Sequence, residues 1–211
     1  MKRARSPHYI IFNKPFGALS QFTREGSRQT LNDYGPFPPD VYPAGRLDAD
    51  SEGLLLLTND NALKHLLTEP RFGHPRSYLV QVERIPDERT LQQLRAGVSV
   101  EGKQTRPAGV ILLDADPDLP ERSVPIRYRK SVPTAWIEIT LTEGRNRQIR
   151  RMTAAVGYPT LRLVRIRIGP LTLAGLAPGQ SRNLTGREIT ELRESVAPIP
   201  PSPARRRSRH S

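Results

Sequence analysis

Three carboxylates stand close together in the segment GRLDADSEGLLLLTND, at residues 45–60. Asp48, Asp50 and Glu52 fall within five residues, and a run of four leucines follows directly. A buried strand that begins beside an acidic loop holds that loop rigidly, which is what a catalytic carboxylate needs for positioning. Arg46 lies two residues before Asp48 and could pair with it or reach a substrate phosphate. Spacing alone also allows a plain acidic surface turn.

Arginine is concentrated in a second segment, EGRNRQIRRM, at residues 143–152. No acid follows Glu143 before Arg167, whereas Arg162 and Arg165 add further charge. The arginines of the segment, which crowd a turn and the first coil of a predicted helix, are Arg145, Arg147, Arg150 and Arg151. Such a density of positive charge is costly unless an anion neutralises it, and a helix start adds backbone donors. The segment predicts a site for RNA phosphate, with a solvated basic helix face as the alternative.

A third candidate is Tyr78, which lies in a predicted strand at residues 77–82 and shares one face of it with Val80 and Val82. A lone strand tyrosine is more often a core or interface residue than a catalytic one, because its ring packs well on a pleated surface. Its position alone therefore assigns it no role.

The composition of the chain narrows the possible classes of function. The 33 Lys and Arg residues against 21 Asp and Glu give a net charge of +12 and a pI near 10.8, which indicate a polyanionic partner. The chain has no cysteine and four scattered histidines, which excludes disulfides and thiolate sites and disfavours zinc. No segment has the pattern of a signal peptide or a membrane span. We therefore expect a soluble, cytoplasmic protein without a metal site and with no membrane partner.

Periodicity and punctuation predict a mixture of strands and helices. Strands are predicted at residues 9–13, 54–58, 77–82, 136–142 and 161–168, and helices at residues 60–67, 87–96, 147–156 and 185–195. Asn59 is a candidate cap for the first helix, and Thr185 with Glu188 forms a capping box for the last. The strands outnumber the helices and do not alternate strictly with them, which favours an α+β architecture around a mainly antiparallel sheet.

The two ends of the chain differ in composition from the rest. Residues 1–7 are basic and lack periodicity. Residues 197–211, APIPPSPARRRSRHS, join a proline-rich stretch to an arginine cluster that cannot bury a core. We expect one folded domain at residues 8–196, between a basic N-terminal tail and a disordered C-terminal tail.

Four segments stand in order along the chain: YIIFNKPFG at residues 9–17, the GRLDADSEGLLLLTND segment, RSYLVQV at residues 76–82, and EGRNRQIRRM followed by LRLVRIRIGPLTL at residues 161–173. Together they resemble the motifs of the bacterial ribosomal pseudouridine synthases of the RsuA-like group, and the second and fourth are the specific ones. The resemblance covers nearly the whole chain. It implies that residues 8–196 form the catalytic domain, with a mixed, mainly antiparallel sheet flanked by helices and a central RNA-binding cleft.

The resemblance also implies roles for individual residues. Asp48 follows the Gly-Arg-Leu of the motif and corresponds to the essential aspartate, so that Asp50 and Glu52 are its neighbours. Tyr78 corresponds to the active-site tyrosine that lies against the target base. Arg150 corresponds to the basic residue that pairs with the aspartate, and we therefore expect an Asp48–Arg150 ion pair. The residues implied to bind RNA are Arg46, Arg145, Asn146, Arg147, Arg151 and Arg162.

The implied reaction converts a uridine of large-subunit ribosomal RNA to pseudouridine. It gains and loses no atom, so it needs no cofactor, and the chain has no nucleotide-binding glycine loop. Most members of the group carry a small RNA-binding module before the catalytic domain, whereas eight residues precede the first motif here, and we expect that module to be absent. We expect a monomer. Asp48 could attack the sugar or base covalently, or remove a sugar proton.

Two other classes of function fit parts of the sequence. A noncatalytic ribosome-binding protein would account for the charge and the tails, but it leaves the acidic turn beside a buried strand without a purpose. A magnesium-dependent nuclease would use Asp48, Asp50 and Glu52 as hard oxygen ligands. Excess chelator would stop the nuclease and leave a synthase active.

Overall fold

The structure is a computed structural model that describes residues 6–126, 129, 131–173 and 175–196. The predicted C-terminal tail and residues 1–5 of the predicted N-terminal tail lie outside the described residues. Within them the strands are β1 (Tyr9–Lys14), β2 (Tyr42–Pro43), β3 (Glu52–Thr58), β4 (Arg76–Glu83), β5 (Ser99–Val100), β6 (Lys103–Gln104), β7 (Gly109–Leu112), β8 (Thr134–Leu141), β9 (Thr160–Ile168), β10 (Leu171–Thr172) and β11 (Ser181–Asn183). The helices are α1 (Asn61–Thr68), α2 (Glu88–Ala96), α3 (Gln148–Ala155) and α4 (Gly186–Ser195), with short 3-10 turns at Leu31–Tyr34 and Pro70–Phe72. In these described ranges, no helix combines the length and apolar character that a membrane crossing requires.

Nine of the described strands form one mixed sheet. Seven of them follow the order β11, β1, β3, β9, β4, β8, β7, while β2 pairs with β3 and β10 with β9. β3 and β9 pair in parallel, at Glu52 with Val164 and at Gly53 with Arg165, and the other pairs are antiparallel. The predicted α+β architecture with a mainly antiparallel, mixed sheet is confirmed. The parallel junction lies at the start of β3, where the acidic segment of the sequence ends.

β3 is buried along its whole length because both faces of the sheet are covered there. Successive side chains of a strand point to opposite faces. Leu54 and Leu56 accordingly belong to a core shared with β1, α1 and α4, whereas Leu55 and Leu57 belong to a second core with β1 and Leu31. The strand is thus fixed at the centre of the molecule and gives the preceding loop a rigid end.

The helix ends show which local signals hold. The first helix is capped by Asp60, whose Oδ1 accepts the amide hydrogen three residues further on at 3.0 Å, so the predicted Asn59 cap is wrong. The Asn59 side chain instead accepts a hydrogen bond from the backbone N–H of His8 at 2.7 Å. This bond fixes the residue that precedes β1. α4 begins with the predicted capping box of Thr185 and Glu188.

Candidate active site

Asp48 lies in the loop between β2 and β3, in a segment that is fastened on both sides. The backbone N–H of Leu47 donates to Ser20 Oγ at 3.0 Å, and that hydroxyl donates to the Leu47 carbonyl at 2.8 Å. The carbonyl of Ala49 accepts the N–H of Gly17 at 2.7 Å. The Asp48 carboxylate between these anchors is 38% exposed, so it is held in place and still open to a substrate.

The segment that fastens this loop is itself held by the buried side chain of Lys14. Its ammonium donates to the carbonyls of Pro15 at 3.0 Å and Ala18 at 2.7 Å. Burial lowers the pKa of Lys14 to about 8, although the charge of Glu52 and, less strongly, the two aspartates oppose the change. The side chain of Lys14 therefore supports the segment to which the Asp48 loop is fastened.

A cleft of about 700 Å³ opens beside Asp48, which is within the usual range for ligand sites. It lies between the acidic loop, β4 and the turn before α3. Six of the residues predicted for the site line it: Arg46, Asp48, Tyr78, Arg145, Asn146 and Arg147. Arg150, Arg151 and Arg162 are not part of the lining. Folding thus brings the three candidate segments of the sequence to one cleft.

The guanidinium of Arg147 joins two aspartates. Its Nη1 and Nη2 donate to Asp50 Oδ1 and Oδ2 at 3.0 and 2.7 Å, and Nη1 lies 3.6 Å from Asp48 Oδ2. Arg147 directly precedes α3 and has a φ of +52°, a left-handed conformation that costs an ordinary residue about 1 kcal/mol. The two bonds to Asp50 help to hold this conformation. Asp50 is therefore a structural partner in the site and more than a neighbour of Asp48.

Arg150 does not make the ion pair that was expected with Asp48. Its Nε lies 3.3 Å from Asp50 Oδ2, and its Nη2 donates to the backbone carbonyl of Asp50 at 2.6 Å. Arg150 lies about one helical turn beyond Arg147. Its side chain packs against Asp50 and is 14% exposed. In the described part of the chain, the ion pair of Asp48 is with Arg147.

These contacts set the charge state of the arginine–aspartate cluster. Burial raises the pKa of Asp50, but the hydrogen bonds from Arg147 and the charge of Arg150 outweigh it and hold that pKa below its usual value. Burial lowers the pKa of Arg150, and the charge of Asp50 opposes this. The hydrogen bonds to Asp50 raise the pKa of Arg147. The cluster is a fixed array of opposite charges.

Arg145 and Asn146 line the cleft, and Arg151 and the β5–β6 hairpin contact them from outside the lining. Arg145 Nη2 donates to the carbonyl of Gln104 at 2.7 Å. Arg151 pairs with Glu101 at 2.6 Å and donates to Asn146 Oδ1 at 3.0 Å. The protein therefore orders these side chains before any ligand binds, which reduces the entropy lost on binding.

Arg162, which was expected to bind RNA, is buried and lies outside the lining of the cleft. It is 7% exposed and makes two hydrogen bonds to Glu52, at 3.0 and 2.9 Å, and a third to the carbonyl of Pro120 at 2.9 Å. Glu52 is equally buried and begins β3. The ion pair joins β3 to β9, so the guanidinium of Arg162 is used inside the protein and is not presented at its surface.

Arg165 is a residue of the cleft that the sequence indicated only as additional positive charge, without a predicted role. It lines the cleft and pairs across β4 and β9 with Tyr78. A signal was present, because Arg165 is in phase with Leu163 in a predicted strand that is otherwise largely apolar. A charged residue on the inward face of such a strand needs a specific reason.

The carboxylates do not converge as the magnesium-dependent alternative requires. Asp50 is bound by two arginines and Glu52 by Arg162, and Asp48 lies against Arg147. Over the ranges that the structure covers, no three histidine or carboxylate side chains are grouped as metal ligands. The geometry therefore gives this alternative no support.

Comparison with known proteins identifies the class to which this cleft belongs. A family model described as RNA pseudouridylate synthase matches residues 8–155. The match covers most of the chain, and the chain belongs to this family of RNA-modifying isomerases. The membership predicted from the four motifs is confirmed.

Individual relatives narrow the comparison. Ribosomal large subunit pseudouridine synthase E of Xanthomonas axonopodis pv. citri is 57% identical over 171 residues, which cover 80% of this chain and 90% of the relative. The synthase E of Vibrio parahaemolyticus is 53% identical over 83% of this chain and 73% of its own. Ribosomal large subunit pseudouridine synthase B of Bacillus subtilis is 36% identical, with 89% and 72% covered. A crystal structure of a pseudouridylate synthase superposes with a TM-score of 0.75 at 28% identity, over 91% of this chain and 76% of that one.

Proposed function

We propose that the chain isomerises a uridine of large-subunit ribosomal RNA to pseudouridine, with Asp48 as the essential carboxylate. The observation that carries the proposal is the position of Asp48, on a doubly fastened loop at the edge of an arginine-lined cleft that also contains Tyr78. The names of the relatives, which act on large-subunit ribosomal RNA, support the choice of substrate.

The reaction breaks the bond between C1′ of the ribose and N1 of uracil and forms a bond from C1′ to C5. The proton on C5 is lost and N1 gains one, so atoms and charge balance without a cofactor. Asp48 assists by attacking the sugar or base, or by taking a proton from the sugar, and both routes remain open. Tyr78 lies against the base and takes part in removing the C5 proton.

The arginines of the cluster surround Asp48 with fixed positive charge. Arg147 supplies the nearest charge, 3.6 Å from Asp48 Oδ2. Arg150 contributes from beneath the loop through Asp50. In this proposal Arg150 acts by positioning, since its own contacts are with Asp50.

The target nucleotide must leave its stack to reach Asp48, at a cost of roughly a few kcal/mol. The exposed Arg46 at the rim of the cleft is placed to fill the space left by the base or to bind a flanking phosphate. Arg145, Asn146 and Arg147 line the opposite wall and are available for the RNA backbone. We propose that the protein works on RNA as a monomer.

The direct test uses Asp48→Asn, which is nearly isosteric and removes the charge. Unmodified large-subunit ribosomal RNA is incubated with the wild type or the variant, and pseudouridines are mapped. We expect one new pseudouridine with the wild type and none with the variant, while RNA affinity changes little. Mapping in a strain that lacks the protein should show the same position unmodified.

The matched control is Asp116→Asn, the same change at an exposed position of the β7–β8 connection. It should leave turnover unchanged. Normal conversion by Asp48→Asn would overturn the assignment of Asp48. Stoichiometric binding by the wild type without any product would favour the noncatalytic alternative instead.

A further inference from the structure

Arg165 is a buried cation at the floor of the cleft whose hydrogen bonding is incomplete. Its side chain is 3% exposed, and its Nε donates to the carbonyl of Leu54 at 2.7 Å. Its Nη2 is buried and has no hydrogen-bond partner among the residues that the structure describes. A buried donor without a partner destabilises the folded protein, and it does so more strongly when it is charged. An unsatisfied buried group in a native structure needs an explanation, and a role in binding or catalysis is one of them.

The surroundings of Arg165 do not neutralise its charge. Within the described residues no carboxylate lies at ion-pair distance from it. Burial lowers the pKa of Arg165, the neighbouring Tyr78 hydroxyl opposes this, and the charge of Arg76 adds to it. Lys14 is a further cation close enough for the charge of Arg165 to lower its pKa. Arg165 is therefore a cation in the cleft lining without an ion-pair partner among the described residues.

A β-bulge aims this side chain into the cleft. In the pairing of β4 with β9, Ser77 lies opposite Arg167 while Tyr78 lies opposite Arg165, so Ile166 is an extra residue in β9. The extra residue reverses the alternation of side chains, as bulges next to active sites do. Arg165 consequently faces the cleft with Tyr78, whereas Arg167 is exposed and lies by a separate groove with Ile166.

The main chain fixes Arg165 beside the active-site loop. The start of β3 pairs in parallel with β9 at Gly53 and Arg165. Gly53 has a φ of +102°, and a side chain there would place its Cβ within 3 Å of the backbone of Arg165. The loop that carries Asp48 thus ends in direct contact with the residue that carries the unpaired guanidinium nitrogen.

We propose that Arg165 donates a hydrogen bond from Nη2 to a carbonyl oxygen of the target uracil and stabilises the negative charge that forms on the ring. This inference rests on the proposed function. When the C1′–N1 bond breaks, its electron pair leaves with the uracil, and the charge spreads from N1 to O2 and O4. In one route Asp48 forms a bond to C1′, and in the other it removes a proton from the carbon next to C1′. In both routes the uracil then turns, and its C5 forms the new bond to C1′. A donor that the fold holds in place before the reaction can stabilise charge that develops in a transition state.

The position of Arg165 suits a ring carbonyl better than a phosphate. One buried nitrogen at the floor can meet one planar acceptor, whereas a phosphate needs several donors and more space. The exposed arginines that suit a phosphate are Arg46 and Arg147, at the rim. Arg165 is therefore assigned to the base.

The test combines a change in the protein with a change in one atom of the RNA. The RNA is a synthetic fragment that carries the uridine mapped above, with uridine, 2-thiouridine or 4-thiouridine at that position, because sulfur is a poor hydrogen-bond acceptor. Single-turnover rates are measured for the wild type and Arg165→Met. We expect Arg165→Met to slow the reaction of uridine about 100-fold, which is typical for the loss of one such donor. RNA affinity should change less than about 3-fold, because this bond strengthens as charge develops.

The decisive result is non-additivity. Sulfur at the contacted carbonyl should slow the wild type at least about 10-fold and slow Arg165→Met less than about 2-fold, because the bond is already absent. Additive losses at both carbonyls would overturn the assignment of Arg165 while leaving the proposed function intact. Absence of pseudouridine with the wild type and ordinary uridine would instead refute the proposed function.

Two controls separate this role from a structural one. Arg167→Met makes the same change two residues along β9 on an exposed side chain and should keep the wild-type rate and thio effects. Thermal unfolding of each variant checks that it is folded. If Arg165→Met does not fold, Arg165→Lys retains the charge and donors and serves in the same cycle, and additive thio effects in a folded Lys variant with a lowered rate would equally contradict the proposal.

Discussion

Arg147 donates hydrogen bonds from both terminal nitrogens to Asp50, at 3.0 and 2.7 Å, and the same guanidinium lies 3.6 Å from Asp48. One aspartate therefore holds the cation that faces the other. This relationship divides the acidic segment into a carboxylate that is open to substrate and a carboxylate that organises the site. The division leads to a first prediction about Asp50.

Asp50→Asn should lower kcat about 10- to 100-fold with a smaller change in KM, since a displacement of about 1 Å in a positioned group has effects of this size. The asparagine amide cannot form the bidentate ion pair with Arg147, so the guanidinium loses its fixed position beside Asp48. Because the pKa of Asp50 is held below its usual value, its carboxylate stays ionised throughout the neutral and alkaline range. Steady-state kinetics from pH 6 to 9 should therefore show a constant ratio between wild type and variant. The exposed Asp114→Asn is the control, and unchanged kcat in Asp50→Asn would contradict the positioning role.

Lys14→Met should change the pH dependence of stability. The pKa of Lys14 is lowered by burial from 10.5 to about 8, so the folded protein releases this proton at a lower pH than the unfolded chain. By linkage, Lys14 opposes folding below about pH 8, and this penalty is relieved as the pH rises towards 10.5. The wild type should gain up to about 3 kcal/mol over that interval relative to the variant. Denaturant unfolding of both proteins at pH 7, 8, 9 and 10 measures the difference, and parallel curves would show that the lysine titrates normally.

Lys14→Met should also reduce the stability of the active-site loop at pH 7. The carbonyls of Pro15 and Ala18 lose their donor, and an unsatisfied buried carbonyl costs about 1–3 kcal/mol. Hydrogen exchange at the amide of Gly17, which bonds to Ala49, reports on this segment directly. In the variant, exchange at Gly17 should accelerate over the wild type more than exchange in β8 does. An equal change in both segments would argue against a local effect.

Arg162→Met should destabilise the fold by about 3–5 kcal/mol, because it leaves the buried Glu52 carboxylate without its partner. Arg162→Met combined with Glu52→Leu should cost less than the single change, since no charge is then left alone. A thermodynamic cycle from denaturant unfolding measures the coupling. RNA affinity of the folded Arg162→Met variant should match the wild type within about 2-fold. A lost phosphate contact would instead reduce the salt dependence of binding and would restore Arg162 to the RNA-binding set.

Arg46→Ala distinguishes two roles for the exposed arginine at the rim of the cleft. If Arg46 binds a phosphate of the RNA, the slope of log K against log salt should fall by roughly 0.7–0.9. If Arg46 fills the space of the extruded base, the slope should stay constant and the single-turnover rate should fall about 10-fold. Arg187→Ala on α4, whose side chain is 88% exposed and outside the cleft lining, is the control. No change in either quantity would remove Arg46 from the site.

Local patterns in the sequence carried much of the fold. The run of four leucines predicts a buried strand because its composition admits no exposed face, and β3 is buried throughout. The capping box at the start of α4 was predictable because both partners lie within one turn of each other. The first helix shows the limit, since Asn59 and Asp60 are both good caps and a tertiary contact with His8 decided between them.

The sequence by itself determined which kinds of side chain meet in the cleft: the acidic turn, the strand tyrosine and the arginines before α3. Only the tertiary structure decided which arginine faces which carboxylate. The left-handed turn at Arg147 and the extra residue in β9 set the directions of side chains that are far apart along the chain. They place Arg147 between the aspartates and Arg165 on the cleft floor, while Arg162 is withdrawn into an ion pair. Such directions follow from backbone geometry and from partners on other strands, so no reading of residue types and spacing along one segment contains them.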